Sequence, residues 1–442
     1  MLKSQSFALA LAALAATASA EVNVDSLKAQ VDALAKTKVT GYVQARYEYS
    51  LDTSVIDSKS SQLQGRFNIK RGRVIISNEG NLGDFGLQVQ YAEDGIKLID
   101  AYVSAYDPWK MVKLRMGSQA IPFGYEVSGW SSSSMEVLER SLFEQTVFPG
   151  EHDVGAVLSL NYKKDFFQYV DFKAGVFSGN MSVVGIPVLG NSANGVSQAD
   201  FDDGKAFVGR LGFKAPIPAA GLDLSGGVSE YYDVLTSQND TVYDFAGQLD
   251  NTSATSHVSK GNSRVDLHKQ ILDVDLQVNA KLLDLGSTIL RGELYTGANV
   301  ALSTGAIFDP YSSALQSDAA KATVSTNKAY IRDALGWNVL LAQNLGDFQI
   351  AARYELFDPN TDVSASDVGV LANTSIADVA WTQISGAVSY NLSSNVKFMV
   401  EYDHKANETI GKAFVYKAGS DNRNYTTDVN NDKTTFQLQY KF

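Results

Sequence analysis

From Val39 onward the chain alternates. In one stretch after another, residues of one parity are apolar or aromatic and those of the other are polar or charged. Such runs are Phe85, Leu87, Val89 and Tyr91; Ile99, Ala101, Val103 and Ala105; Leu272, Val274, Leu276 and Val278; and Val396, Phe398, Val400 and Tyr402. A period of two places these sets on one face of a β-strand. Sixteen segments carry the pattern, near 39–50, 62–78, 84–92, 97–106, 111–119, 153–162, 169–178, 204–214, 221–232, 264–281, 286–296, 329–343, 347–357, 378–391, 395–404 and 432–442. Before them, Val24, Leu27, Val31 and Leu34 fall at a and d spacing, which predicts a short helix over 21–38. It either packs on its own protein or pairs with copies of itself.

The links sort by length. After the second segment every other link is short and turn-like, as in the two "NLGD" stretches at Asn81 and Asn344, "DPWK" at Asp107 and "LSSN". The alternate links are mostly long, such as 120–152, 233–263, 297–328 and 405–431. A soluble sandwich has no reason to sort its loops by end, whereas an outer-membrane barrel has short periplasmic turns and long outer loops. The expected fold is therefore all-β: a 16-stranded antiparallel transmembrane β-barrel over 39–442, its apolar face toward lipid. An even strand count leaves both chain ends on the periplasmic side, and the last strand, "TTFQLQYKF", pairs with the first to close the ring. Phe442, a terminal aromatic of the kind these barrels share, is expected to be read by the barrel-assembly machinery.

The polar parity then lines the lumen. It carries Arg46, Arg66, Lys70, Lys113, Arg115, Arg210, Lys214, Arg291, Arg353, Lys397 and Lys441, with Glu48, Asp100, Asp273, Asp275, Glu293, Glu355, Glu401 and Asp403 among them. Bases outnumber acids there although the whole chain has a net charge of −12, so the acids concentrate in loops. In "FNIKRGRVII" the parity breaks between Ile69 and Val74; a bulge at Gly72 that re-aims Arg71 or Arg73, with Arg73 favoured to point inward, would absorb the extra residue. Arginine and lysine in a narrow wall favour small anions among hydrophilic solutes. The long link after the fifth strand, rich in Gly, Ser and aromatics, reads as a packed loop that narrows the pore, with Ala120, Pro122, Phe123, Glu139 and Arg140 as its key positions.

Composition narrows the remaining classes. The opening "MLKSQSFALALAALAATASA" has a lysine, an apolar run too short to span a membrane, and a small-residue Ala-Ser-Ala end, so 1–20 is expected to be a signal peptide. There is no cysteine, which rules out disulfides and thiolate metal sites. No basic tract suits a nucleic acid. The four histidines, His152, His257, His268 and His404, form no metal spacing, no nucleophile elbow is present, and the acidic runs at Asp200 and Asp428 lack the ligand spacing of a calcium loop, so no cofactor or metal and no enzymatic activity is expected. A barrel enzyme and a barrel that merely displays adhesive loops are the rival readings.

The stretches "FNIKRGRVIISNEGNLGDFGLQVQYAED", "LIDAYVSAYD", "KLRMGSQAIPFGYE", "LERS" and "PGEHDVGAVLSLNY" together resemble the phosphate-selective porin O and P family. The resemblance implies a sixteen-stranded outer-membrane porin, usually a homotrimer, with an arginine ladder and a lysine-bearing constriction for anions. Arg66, Arg73 and Arg115 match the family's basic strand positions. Two positions depart from its pattern: Ala120 stands where members commonly carry a lysine, and Glu151 follows Pro149 and Gly150 where an arginine is common.

Overall fold

A computed structural model describes residues 36–50, 65–93, 95–148, 150–160, 169–179, 204–237, 241–244, 255–258, 265–283, 286–302, 328–368, 378–411, 425–429 and 431–442. The expected signal peptide and most of the expected helix, 21–35, lie outside them. Thr37 and Lys38, which the helical period had claimed, already belong to the first strand.

The strands run in chain order: β1 Thr37–Ser50, β2 Gly65–Glu79, β3 Gly83–Ala92, β4 Gly95–Tyr106, β5 Val112–Ala120, β6 His152–Leu160, β7 Val170–Phe177, β8 Ala206–Ile217 and β9 Leu222–Ser237. They continue with β10 Thr241–Asp244, β11 Thr255–Val258, β12 Val265–Leu283, β13 Gly286–Leu302, β14 Lys328–Leu345, β15 Phe348–Asp358, β16 Trp381–Asn391, β17 Val396–Asn407 and β18 Lys433–Lys441. Each barrel strand pairs antiparallel with its neighbours, β9 pairs directly with β12, and β1 pairs with both β2 and β18. The result is a closed ring of sixteen strands. The four-residue strands β10 and β11 form a hairpin beyond the ring, where β10 runs parallel to the start of β14. At the seam, Gly41 and Phe442 exchange two backbone hydrogen bonds of 3.1 and 3.0 Å.

The two faces are inverted relative to a soluble protein. On β12, Leu272, Val274 and Leu276 are 43–47% exposed, whereas Asp273, Asp275 and Gln277 between them are at most 4% exposed. An apolar exterior around a polar interior is stable where lipid replaces water outside, and ring closure leaves no strand edge unpaired there.

Three register shifts interrupt the described ladders, one at the turn end of β12 and β13 and two within the first four strands. Ala45 faces Ile69 but Gln44 faces Arg71, so the extra residue is Lys70 and not Gly72, which pairs regularly with Val43 and Tyr91. The parity change fixed only a window between Ile69 and Val74, and within it the bulge falls where Lys70 and Arg71 can both turn inward. On β4, Ile99 is the extra residue, so the outward set is Ile96 and Leu98 before it and Ala101 and Val103 after it.

The segment after β5 does not stand above the barrel. It holds two short helices, α1 Tyr125–Ser128 and α2 Leu142–Val147. α2 starts at Ser141, whose hydroxyl accepts a hydrogen bond from the Glu144 amide at 3.3 Å, the Ser-x-x-Glu pattern of a helix start. Its apolar side forms a hydrophobic core with the wall: Phe143 stacks on Tyr295 at 4.3 Å and meets Phe357 edge-on at 5.7 Å. Phe123 and Phe148 join the same cluster, so this chain carries its core inside the ring.

Candidate functional site: the lumen and the loop that crosses it

A backbone that leaves water must find other hydrogen-bond partners. The loop of residues 121–151 finds them on the wall. Glu293 Oε1 accepts from the Tyr125 amide at 2.7 Å, Glu401 from Leu138 at 2.6 Å and Glu355 from Leu142 at 2.8 Å. Gln44, Gln439, Lys397 and Lys269 donate to the carbonyls of Ser132, Ser133, Met135 and Val147. These anchors come from β1, β12, β13, β15, β17 and β18, so the loop is stitched to one side of the ring.

The cations inferred from parity are thereby divided. Arg46 binds Glu139, the Gln437 side chain and the Leu138 carbonyl. Arg353 donates to the carbonyls of Glu139 and Arg140 and pairs with Glu355 at 3.0 Å. Arg291 pairs with Glu136 and lies over Tyr125 and Trp130. All three fasten the loop. Arg210 forms a two-pronged pair with Asp275 at 2.5 and 3.0 Å, with Asp273 3.7 Å away.

On β2, next to β1, Lys70 bonds the loop's Glu139 at 2.6 Å, and Arg73 bonds Gln90 at 2.6 Å and the loop's Ser132 at 3.3 Å. Lys113 bonds Asp84 at 2.8 Å, and Arg115 lies 3.8 Å over the Tyr102 ring. Arg66, half exposed at the start of β2, pairs with Glu48 and Glu93. Accessibility separates the two halves: Lys70, Arg115 and Lys173 keep 35, 29 and 33% of their side chains exposed, whereas Asp275, Arg353 and Glu355 keep at most 1%. The more exposed charged side chains thus lie along β2–β7, Asp100 and Asp171 among them at 20 and 36%, and the loop covers its anchors on the other strands.

Within the loop, Ala120 ends β5 opposite His152, and Pro122 and Phe123 are buried where the loop enters. Pro149 lies outside the described residues. Arg140 is the keystone: it bonds Glu151 at 2.5 Å and the carbonyls of Glu126 and Trp130 at 2.7 and 2.9 Å. Glu151 thus serves Arg140, in a left-handed conformation at φ 55°. Burial alone would raise the Glu139 carboxyl, but Lys70, Arg46 and Arg71 hold it well below the usual carboxylate range. Burial pushes Glu144 well above that range; Arg140, 3.8 Å away, opposes the shift, and Glu151 and Glu126 add to it. Gln44, Glu136 and Lys269 escaped the sequence reading, and Arg71 entered it only as the alternative to Arg73. Only the parity break pointed toward Arg71.

The family model for phosphate-selective porins O and P matches residues 73–442. No curated protein matches the sequence. Among solved structures, the anion-selective porin from Comamonas acidovorans aligns with a TM-score of 0.51 at 12% identity, over 92% of this chain and 99% of that one. Pseudomonas putida OprB aligns at 0.57 and 10% identity, over 94% and 96%. Salmonella typhi OmpF aligns at 0.52 and 11%, over 92% and 97%. At such identities the likeness is one of fold.

Proposed function

The chain belongs to the phosphate-selective porin O and P family, and from that premise we propose that its lumen prefers small anions. The protein is an outer-membrane porin, a water-filled channel for passive diffusion of small hydrophilic solutes and ions, and its family and fold are those of a non-enzymatic channel. On this reading the short turns 80–82, 107–111 and 392–395 face the periplasm.

The observation that carries the preference is the accessible wall. Lys70, Arg71, Arg73, Lys113, Arg115 and Lys173 line the open path and outnumber Asp84, Asp100 and Asp171 beside them, while Asp273, Asp275, Glu293, Glu355 and Glu401 lie behind the loop or inside buried ion pairs. Charges bordering water in a low-dielectric tunnel raise the local concentration of the opposite ion; covered charges do so far less. The preference extends to anions in general. Ala120 supplies no cation at the loop entry, and both Glu151 and Arg140 are committed to each other. In planar bilayers under a salt gradient, the reversal potential is expected to have the sign of anion preference; the cation sign overturns the reading. Phosphate added to a chloride current is expected to produce no saturable block.

The same reading takes residues 1–20 as a signal peptide, 21–38 as a short periplasmic helix, Phe442 as the signal for the assembly machinery, and the protein as a homotrimer in outer-membrane lipid. The heptad spacing at Val24, Leu27, Val31 and Leu34 supports the trimer. A concentration-independent monomer in mild detergent would remove it.

A further inference from the structure

Glu139 sits among three cations. Its Oε1 accepts from Arg46 Nη1 and, at 2.6 Å, from Lys70 Nζ; its Oε2 lies 3.8 Å from Arg71 Nη2. Lys70 and Arg71 are consecutive, and only the bulge lets both reach inward. The wall holds two of these cations without help from Glu139: Gln437 binds Arg46 Nε at 2.7 Å, and Gln44 accepts from Arg71 at 3.3 Å, while Lys70 is brought inward by the bulge. Glu48, the other acid nearby, is 3.8 Å from Arg46 and shared with Arg66.

The loop, in turn, stays in place without the Glu139 carboxylate. Glu401 holds the Leu138 amide, Arg46 the Leu138 carbonyl, Arg353 the carbonyls of Glu139 and Arg140, and Glu355 the Leu142 amide. The carboxylate therefore fills a cradle that is built independently of it. The cradle also opens to the water path, since Lys70 keeps 35% and Glu139 13% of its side-chain surface exposed.

We propose that Arg46, Lys70 and Arg71 form a binding site for small carboxylates in the lumen, and that Glu139 is its tethered occupant, which a soluble carboxylate must displace. A tethered group acts at an effective concentration of about a millimolar or more, so it keeps the site's apparent affinity low. Low affinity suits a diffusion pore, because an ion that binds tightly does not leave. The depressed Glu139 carboxyl keeps the occupant charged throughout the neutral range.

The test is chloride current through the full-length protein in planar bilayers, with acetate added stepwise. Glu139→Gln is expected to show saturable block with a half-blocking acetate concentration about tenfold or more below that of the original protein. Adding Lys70→Gln to it should abolish the block. Glu139→Asp, which keeps the charge on a shorter tether, should fall between the two and covers the case in which the neutral variant does not assemble. Equal acetate block in all channels overturns the proposal, as does a Glu139→Gln channel blocked by inorganic phosphate but not by acetate. The inference rests on the anion-leaning lumen, yet the two fail separately. A cation-sign reversal potential in the original protein sinks the anion preference, and unchanged acetate block sinks the cradle.

Discussion

Glu139 and Glu144 occupy one loop and share one burden, burial, yet their carboxyls shift in opposite directions. Three cations surround Glu139. Glu144 has Arg140 nearest, already engaged by Glu151, with Arg71 farther off, and its Oε1 has no hydrogen-bond partner among the described residues. The consequences for stability have opposite signs. With its folded pKa depressed, Glu139 contributes stability that is full above the unfolded value near about 4.3 and is lost as pH falls through the lower folded value. With its folded pKa raised, Glu144 contributes stability that is full below about 4.3 and is lost as pH rises through the higher folded value. Glu144→Gln, which keeps the shape and removes the charge, is therefore expected to raise the thermal midpoint at alkaline pH by about a few degrees and to leave it unchanged at acidic pH. Midpoints measured across the pH range check this; a uniform shift would mean that the carboxylate's charge is not what burial penalises.

Two facing elements set the position of the constriction. Gly336 lies on the inward face of β14, and a Cβ there would come within 2.6 Å of the Phe143 ring, which is pressed between Tyr295 and Phe357. Gly336→Val is expected to drive α2 off the wall and into the water path, at a packing cost of about 1–3 kcal/mol. Single-channel conductance should fall, and an unchanged conductance would show that α2 does not border the path. Gly336 illustrates what a sequence hides. The period of two exposed all sixteen barrel strands, because each strand declares its two faces locally. It exposed the bulge on β2 only as a window, because Lys70, Arg71 and Gly72 all fall between the two apolar registers. The loop read as packed from its Gly, Ser and aromatic content. Which wall it packs against depends on partners hundreds of positions away, such as Glu401 for Leu138, and no local pattern carries that. For the same reason Arg46, Arg291 and Arg353 looked like free pore cations, although the structure uses them to fasten the loop.

Across the whole molecule, the loop converts a lumen of mixed charge into two unequal halves. Counting charges by parity gave a small basic excess, but selectivity depends on which charges still border water, and Lys70, Arg115 and Lys173 on β2–β7 are among those the loop leaves exposed. Two sets of arginines should therefore answer differently to neutralisation. Arg73 and Arg115 border the path, held by Gln90, Ser132, Ser104 and the Tyr102 ring, groups that remain satisfied by water if the guanidinium is lost, and Asp84, 4.0 Å from Arg115, keeps its bond to Lys113. Arg73→Gln with Arg115→Gln is expected to assemble normally and to lower the anion-to-cation permeability ratio several-fold, read from the reversal potential at low ionic strength, where screening is weak. Arg210 has the same charge but lies between Asp273 and Asp275, both buried. Arg210→Gln strips the partner from those carboxylates, which costs about 3–5 kcal/mol for a buried pair. It should lower the yield of folded barrel rather than change the ion preference of the channels that do form. If neutralising Arg210 shifts the reversal potential as much as losing Arg73 and Arg115 does, the open path does not run along β2–β7.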